Sequence, residues 1–148
     1  MGKPLTPRQV AVRLRNFIDK VESDGPLWST IAKMAATERS RQIYKKKDYD
    51  GTAFKPLKDT TIASKKKKGY PHPLKPLIAT GMLASIAYDW KPGQASIVID
   101  GKAEWHETEG PHNRPARKTM GLSEEAKDRI AKFFDRRFKR ILQMVMGA

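Results

Sequence analysis

Candidates for metal or acid–base chemistry concentrate in one short stretch of the chain. His106-Glu107 begins like the zinc-protease helix signature, but Gly110 occupies the position of the required second histidine. His106, Glu109 and His112 together have the residue types of a metal cluster. The glycine and the proline after it would break the helix needed to place all three on one face. We therefore favour histidines that are exposed to solvent or hydrogen-bonded locally, and we expect no metal site.

Other catalytic patterns are incomplete as well. Gly101-Lys102 lacks the upstream glycine and the following Ser or Thr of a phosphate-binding loop. Ser85 and Ser123 have no surroundings typical of a catalytic triad. The sequence contains no cysteine, which excludes disulfides, thiolate metal sites and cysteine nucleophiles. We expect a protein without enzymatic activity and without a cofactor.

Two lysine runs, Lys45–Lys47 and Lys65–Lys68, give a stronger indication of function than these motifs. The chain has 30 Lys and Arg residues against 16 acids, a net charge of +14, and residues 39–75 alone hold 12 bases and three acids. Clustered positive charge favours an acidic partner such as the phosphates of a nucleic acid, and the alternative is a solvated loop. Tyr49, Phe54 and Tyr70 lie between the basic residues, where they could stack on bases or anchor the loop on a neighbouring surface.

Helical patterns precede and follow these lysine runs in the sequence. Thr6 and Gln9 form a capping-box pattern ahead of a helix over residues 7–22, in which apolar residues recur at helical spacing as a stripe. A second helix runs from residue 26 or 27 to 46, and its polar half from residue 38 should project into solvent or lie against a partner. Ser123 caps a C-terminal helix with a wide apolar stripe that includes Phe134 and Phe138. The stripe residues of the first helix are Val10, Leu14, Phe17, Ile18 and Val21.

The middle of the chain differs from these helical segments in composition. Turn residues and prolines over residues 47–76 predict an extended basic loop, within which residues 60–68 have the composition of one short helix. Residues 85–90 and 95–100 predict an antiparallel hairpin with a four-residue connection. We therefore predict one α+β domain over residues 1–148. Its parts are a helical part (7–46), the extended basic loop (47–76), and a small antiparallel sheet covered by the C-terminal helix (77–148).

Membrane and secretion signals are also missing from the sequence. Residues 1–15 lack the apolar core of a secretory signal, and no apolar run reaches the roughly 20 residues of a membrane span. We expect an intracellular basic protein with no membrane partner.

Three motifs follow one another along the chain in the order found in a known protein family. The first is Asp48-Tyr49-Asp50-Gly51-Thr52-Ala53-Phe54-Lys55-Pro56-Leu57, followed by a Thr-Thr-Ile-Ala stretch and the lysines. The second and third cover residues 77–86 and 103–123. Their motif positions are Thr80, Gly81, Leu83, Ser85, His106, Gly110 and Arg117.

In this order and spacing the motifs resemble the bacteriophage virion morphogenesis family, the tail-completion proteins of Mu-like and related contractile-tailed phages. Phe54 stands where that family usually has Trp, the gap from His106 to Gly110 is one residue longer, and residues 118–120 differ from the usual Pro-Phe-Leu. The resemblance covers about residues 40–145.

The resemblance implies a structural protein of the virion that completes the tail end and enables head–tail joining, assembled in the host cytoplasm. It implies a homo-oligomeric ring at the neck or tail terminus, for which a hexamer is one candidate size. The implied partners are the tail tube or tail terminator and neck or connector proteins, with non-specific contact to phage DNA. The alternative function is sequence-independent nucleic-acid binding through the basic loop. In either case we expect the contacts to be made by Lys45, Lys46, Lys47, Phe54, Lys65, Lys66, Lys67 and Lys68.

Overall fold

Helices form most of the computed structural model, which describes residues 4–77, 86–99 and 115–147. These ranges contain α1 (Pro7–Glu22), α2 (Gly25–Lys45), α3 (Asp59–Lys67), β1 (Tyr88–Lys91), β2 (Gln94–Ile97) and α4 (Glu124–Met146). The combination of helices with one small antiparallel sheet confirms the predicted α+β class.

Local capping chemistry fixes where the helices begin. The Gln9 amide donates to Thr6 Oγ1 at 3.3 Å while Gln9 Oε1 accepts from the Thr6 amide at 2.9 Å, so the predicted capping box is present. Asp24 caps α2 by accepting from the Leu27 amide. Ser123 caps α4 by accepting from the Ala126 amide at 3.2 Å. Each cap satisfies an amide that has no partner within its helix.

The longest helix, α4, is the element on which α1 and α2 both lie. Successive residues of α1 and then α2 contact positions progressively closer to the N-terminus of α4, so both helices run antiparallel to it. The C-terminal half of α4 therefore lies on α1, and its N-terminal half lies on α2. The successive contacts pair Arg13 with Met146, Phe17 with Phe138, Asp24 with Arg137, Trp28 with Phe134, and Glu38 with Arg129.

The hairpin is shorter and tighter than expected. Lys91 pairs with Gln94, so only Pro92 and Gly93 connect the strands, and the predicted four-residue connection is wrong. Proline fixes φ near −65° and Gly93 has φ +72, the combination of a type II turn. The Gly93 amide donates to the Glu22 carbonyl at 3.1 Å, which ties this turn to the end of α1.

The main packing partner of the hairpin is α2 rather than the C-terminal helix, so that expectation was wrong. The Trp90 ring lies directly over Gly25 at the start of α2, where an added Cβ would be 2.7 Å from the ring. Only glycine permits this close approach. The hairpin therefore covers the corner between α1 and α2.

The first part of the polar half of α2 is buried within the chain, so the expectation that this half projects into solvent or against a partner was wrong for these residues, whereas residues 44–47 are exposed. Glu38, Arg39, Ser40 and Gln42 are all buried. They lie beneath segments that arrive from elsewhere in the sequence, because Ser123 and Arg129 reach Glu38 from α4.

The apolar stripe of α1 is buried on one side only. Phe17 is buried and packs edge-on against Phe138, with ring centroids 4.6 Å apart. Leu14 and Ile18, which belong to the same stripe, are 48% and 53% exposed. They are exposed because α4 covers only the Phe17 side of α1.

Candidate interaction surface

The basic segment, residues 47–76, is held by its own local structure. Lys46 ends α2 in the left-handed conformation with φ 57, and the chain turns back so that Lys47 forms an antiparallel bridge with Ala53. The Phe54 amide donates to the Lys46 carbonyl at 2.7 Å. Further along, α3 confirms the predicted short helix, so the segment is not extended throughout.

Phe54 belongs to the interior of the chain. Its side chain is 7% exposed, so it packs on its own neighbours and presents little surface to another molecule. Beside it, Arg117 is 5% exposed and donates from Nη2 to the Lys55 carbonyl at 3.4 Å. A residue of the third motif thus holds the backbone of the first, and we omit Phe54 from the contact surface.

A second contact joins the same two motifs. The Tyr49 ring packs on Gly121, where an added Cβ would overlap the ring, and the Tyr49 amide donates to the Lys118 carbonyl at 3.2 Å. A side chain at position 121 would displace the ring. This pairing was missed by sequence reasoning, although both residues lie inside quoted motifs.

One of the seven lysines among the predicted contact residues also points inward. Lys65 Nζ donates to the carbonyl of Lys75 at 2.7 Å and to that of His72 at 3.3 Å. Burial, together with the positive charge of Arg117, lowers the pKa of Lys65. Lys65 therefore clamps the end of the segment back onto α3, unlike the three lysines that follow it.

The remaining lysines form what we call the basic surface. They are all exposed and take part in no ion pair with any other described residue. The basic surface consists of Lys45, Lys46, Lys47, Lys66, Lys67 and Lys68.

Both lysine runs lie at the C-terminal ends of helices, α2 and α3, and one set of contacts connects these ends. Tyr44 meets the His72 ring edge-on at 6.1 Å, and Lys75 Nζ lies 5.2 Å from the centre of the Tyr44 ring. The carbonyls of His72 and Lys75 are the acceptors of the Lys65 clamp. Cations at helix C-termini are favoured by the helix dipole, so the charge can be concentrated here without paired acids.

An open groove of about 320 Å³ lies between α2 and α4, and Glu38 is the carboxylate in its lining. Its carboxylate, Glu38, accepts from Ser123 Oγ at 2.9 Å and pairs with Arg41 at 2.8 Å and Arg129 at 2.9 Å. Burial favours the neutral acid, but the Ser123 hydrogen bond and the two arginines outweigh it and lower the pKa of Glu38. Glu38 thus joins α2 to the beginning of α4.

The described residues also contain no group of three metal-ligating side chains and no helix long and apolar enough to cross a membrane. Several predicted motif residues lie outside the described ranges, and the structure does not test them. These are Thr80, Gly81, Leu83, Ser85, His106 and Gly110.

A family model described as the phage virion morphogenesis family matches residues 6–139 of the 148-residue chain. The match includes α1, α2, the basic segment and most of α4. No curated protein and no solved structure matches the chain.

Proposed function

This chain belongs to the phage virion morphogenesis family and acts in the building of phage particles; we propose that it completes the tail end and enables head–tail joining. In this role it is a component of an oligomeric ring at the neck or tail terminus of the virion, assembled in the host cytoplasm. Its partners are further copies of itself, the tail tube or tail terminator, and neck or connector proteins.

The basic surface is the observation that supports this proposal. Six exposed lysines without acid partners among the described residues lie in or beside the basic segment, which Lys65, Arg117 and Tyr49 hold in place. A preformed charged surface binds an acidic protein face with little loss of conformational entropy. When several copies are arranged in a ring, contacts that are weak singly become strong together.

We propose further that the protein makes no covalent change in its partners. Glu38, the carboxylate in the groove between α2 and α4, is already bound by two arginines and a serine. Its contribution to assembly would come from shape and charge, without a cofactor or metal.

Complementation of phage lacking this protein tests the proposal. K66Q/K67Q/K68Q removes three charges of the basic surface while leaving the inward Lys65 intact. The matched control, K127Q/K132Q/K139Q, removes three charges that are paired with acids along α4. We expect the first variant to lower the yield of infectious particles at least tenfold, with electron microscopy showing tails of abnormal length or tails detached from heads. The control should complement fully.

Two results would contradict the proposal. Phage without the protein would produce normal joined particles, or the two triple variants would complement equally well. The second result would remove the basic surface from the role while leaving family membership intact.

Sequence-independent nucleic-acid binding is the second candidate, since unpaired lysines also suit phosphates. It predicts binding to duplex DNA at about micromolar or tighter Kd in physiological salt, weakening steeply as salt rises. K66Q/K67Q/K68Q should abolish this binding and the α4 control should not. If the same variant retains DNA binding but fails to assemble particles, the lysines serve protein contacts.

A further inference from the structure

Part of α1 is an apolar face that no other described element of the chain covers. Ala11, Leu14 and Ile18 follow one another at spacings of three and four and therefore lie on one side of the helix. Leu14 is 48% and Ile18 53% exposed, even though α4 buries Phe17 on the adjacent side. We call these three residues the outer stripe of α1.

The position of α1 explains why the outer stripe is uncovered. Its principal packing partner among the described elements is α4, whereas α2 packs on both α4 and the hairpin. The α1 end of the molecule is therefore a two-helix layer. Such a pair buries one face of each helix and leaves the other to solvent.

Charges along one border of the outer stripe identify the partner. Arg8 and Arg15 lie on this border in the N-terminal half of α1, and Asp19 and Glu22 lie on it in the C-terminal half. All four are exposed, and none pairs with another described residue. A second α1 laid antiparallel brings the basic half of each border to the acidic half of the other.

We infer that two copies of the free chain associate through their α1 helices, antiparallel about a two-fold axis, with the outer stripes in contact. Leu14 of each copy then faces the Ile18 region of the other, and the charged borders complement each other. Such a contact closes after two copies, whereas a ring requires two different patches on each subunit. The dimer is therefore distinct from the proposed ring, and its failure would leave the proposed function untouched.

A matched pair of substitutions tests the stripe. Ile18 and Val12 are both β-branched and both 53% exposed, but Val12 lies about 160° around the helix from Leu14. By sedimentation equilibrium, the wild-type chain should have twice the mass of one chain. I18E should raise the dimer Kd on the order of 100-fold, because a carboxylate would enter an apolar contact. V12E should change the dimer Kd by less than about threefold. Helicity by circular dichroism should be unchanged in both.

Mixing two charge variants tests the antiparallel arrangement. R8E/R15E makes the border acidic throughout, and D19K/E22K makes it basic throughout. Each variant alone should dimerise less than the wild type, and an equimolar mixture should form the mixed dimer, seen by native mass spectrometry. Each double variant also places like charges at positions 15 and 19, four residues apart on α1, so circular dichroism should first show that both variants keep the wild-type helicity.

The inference is overturned by any of three results. The wild-type chain would remain a monomer over the whole dilution series, I18E and V12E would change the dimer Kd equally, or the mixture would form no excess of the mixed dimer.

Discussion

The helical layer of α1, α2 and α4 and the basic segment use charge in opposite ways. In the helical layer, ion pairs join the α2 region to α4, as in Asp24–Arg137 at 2.6 Å and Glu38–Arg129 at 2.9 Å, or run along one of these two helices. In and beside the basic segment, the six lysines of the basic surface have no acid partner among the described residues. The comparison separates charge that holds the chain together from charge that is available to another molecule.

The two uses of charge differ because burial removes the hydration of a charged group, whereas exposure keeps it. Asp24 and Glu38 are almost completely shielded from solvent, and a buried carboxylate is tolerated only when it is paired and hydrogen-bonded. An exposed lysine keeps its hydration and needs no partner within the chain. Substitutions in the helical layer should therefore change the free energy of unfolding, whereas substitutions in the basic surface should change binding.

The largest expected effect is at Phe138. It packs against the Phe17 ring at 4.6 Å and the Phe134 ring at 5.8 Å, where α4 lies on α1. Phe138→Ala should lower the free energy of unfolding by about 3 kcal/mol in urea titrations, because it leaves a cavity between these helices. Met144→Ala on the same helix, 59% exposed, should change it by less than about 0.5 kcal/mol. Equal effects would show that the packing between α1 and α4 contributes little to stability.

A smaller loss is expected at Glu38. Glu38→Ala removes the acceptor of Ser123, Arg41 and Arg129 at once. Because both arginines can still reach water, we expect a loss of about 2 kcal/mol rather than the full cost of stranding buried charges. The control is Glu124→Ala, whose carboxylate is 90% exposed and pairs only with Lys127, and which should cost about 0.5 kcal/mol. A loss at Glu38 no larger than at Glu124 would contradict the assignment of Glu38 as a joint between α2 and α4.

The same two carboxylates predict how stability depends on pH. The Arg137 hydrogen bond lowers the pKa of Asp24 against the opposing effect of burial, and the pKa of Glu38 is lowered as well. The unfolded chain therefore takes up protons at a higher pH than the folded chain does. This stabilisation is complete above the ordinary carboxylate pKa values and is lost as the pH falls through the folded ones.

Urea titrations from pH 7 to pH 3 measure this dependence. The free energy of unfolding of the wild type should fall below about pH 4.5, and the D24N/E38Q variant should fall less steeply. Asn and Gln keep the size of each side chain, and Asn remains a good helix cap. Parallel curves for the two proteins would show that other groups control the acid sensitivity.

Sequence reasoning succeeded where the decisive contacts are local. The Thr6–Gln9 capping box and the Ser123 cap each depend on residues three positions apart, and both are present. It failed for the first part of the polar half of α2, because the residues that cover Glu38 lie more than 80 positions away in the sequence. It did not address the burial of the α1 stripe, since a periodic pattern identifies an apolar face without indicating how much of it a neighbouring helix covers.

The smallest expected effect on the free energy of unfolding is within the lysine run 65–68, where neighbouring residues use their charge differently. Composition treats residues 65–68 as equivalent, yet only Lys65 reaches the carbonyls of His72 and Lys75. Lys65→Met should cost about 1 kcal/mol of unfolding free energy through the lost hydrogen bonds, while Lys67→Met should cost less than about 0.5 kcal/mol. The two variants carry the same change in charge and shape, so urea titration compares position alone. If Lys67→Met costs as much as Lys65→Met, the division between holding and available charge does not extend to neighbouring residues of one helix. If the costs differ as expected, that division applies residue by residue within a single run.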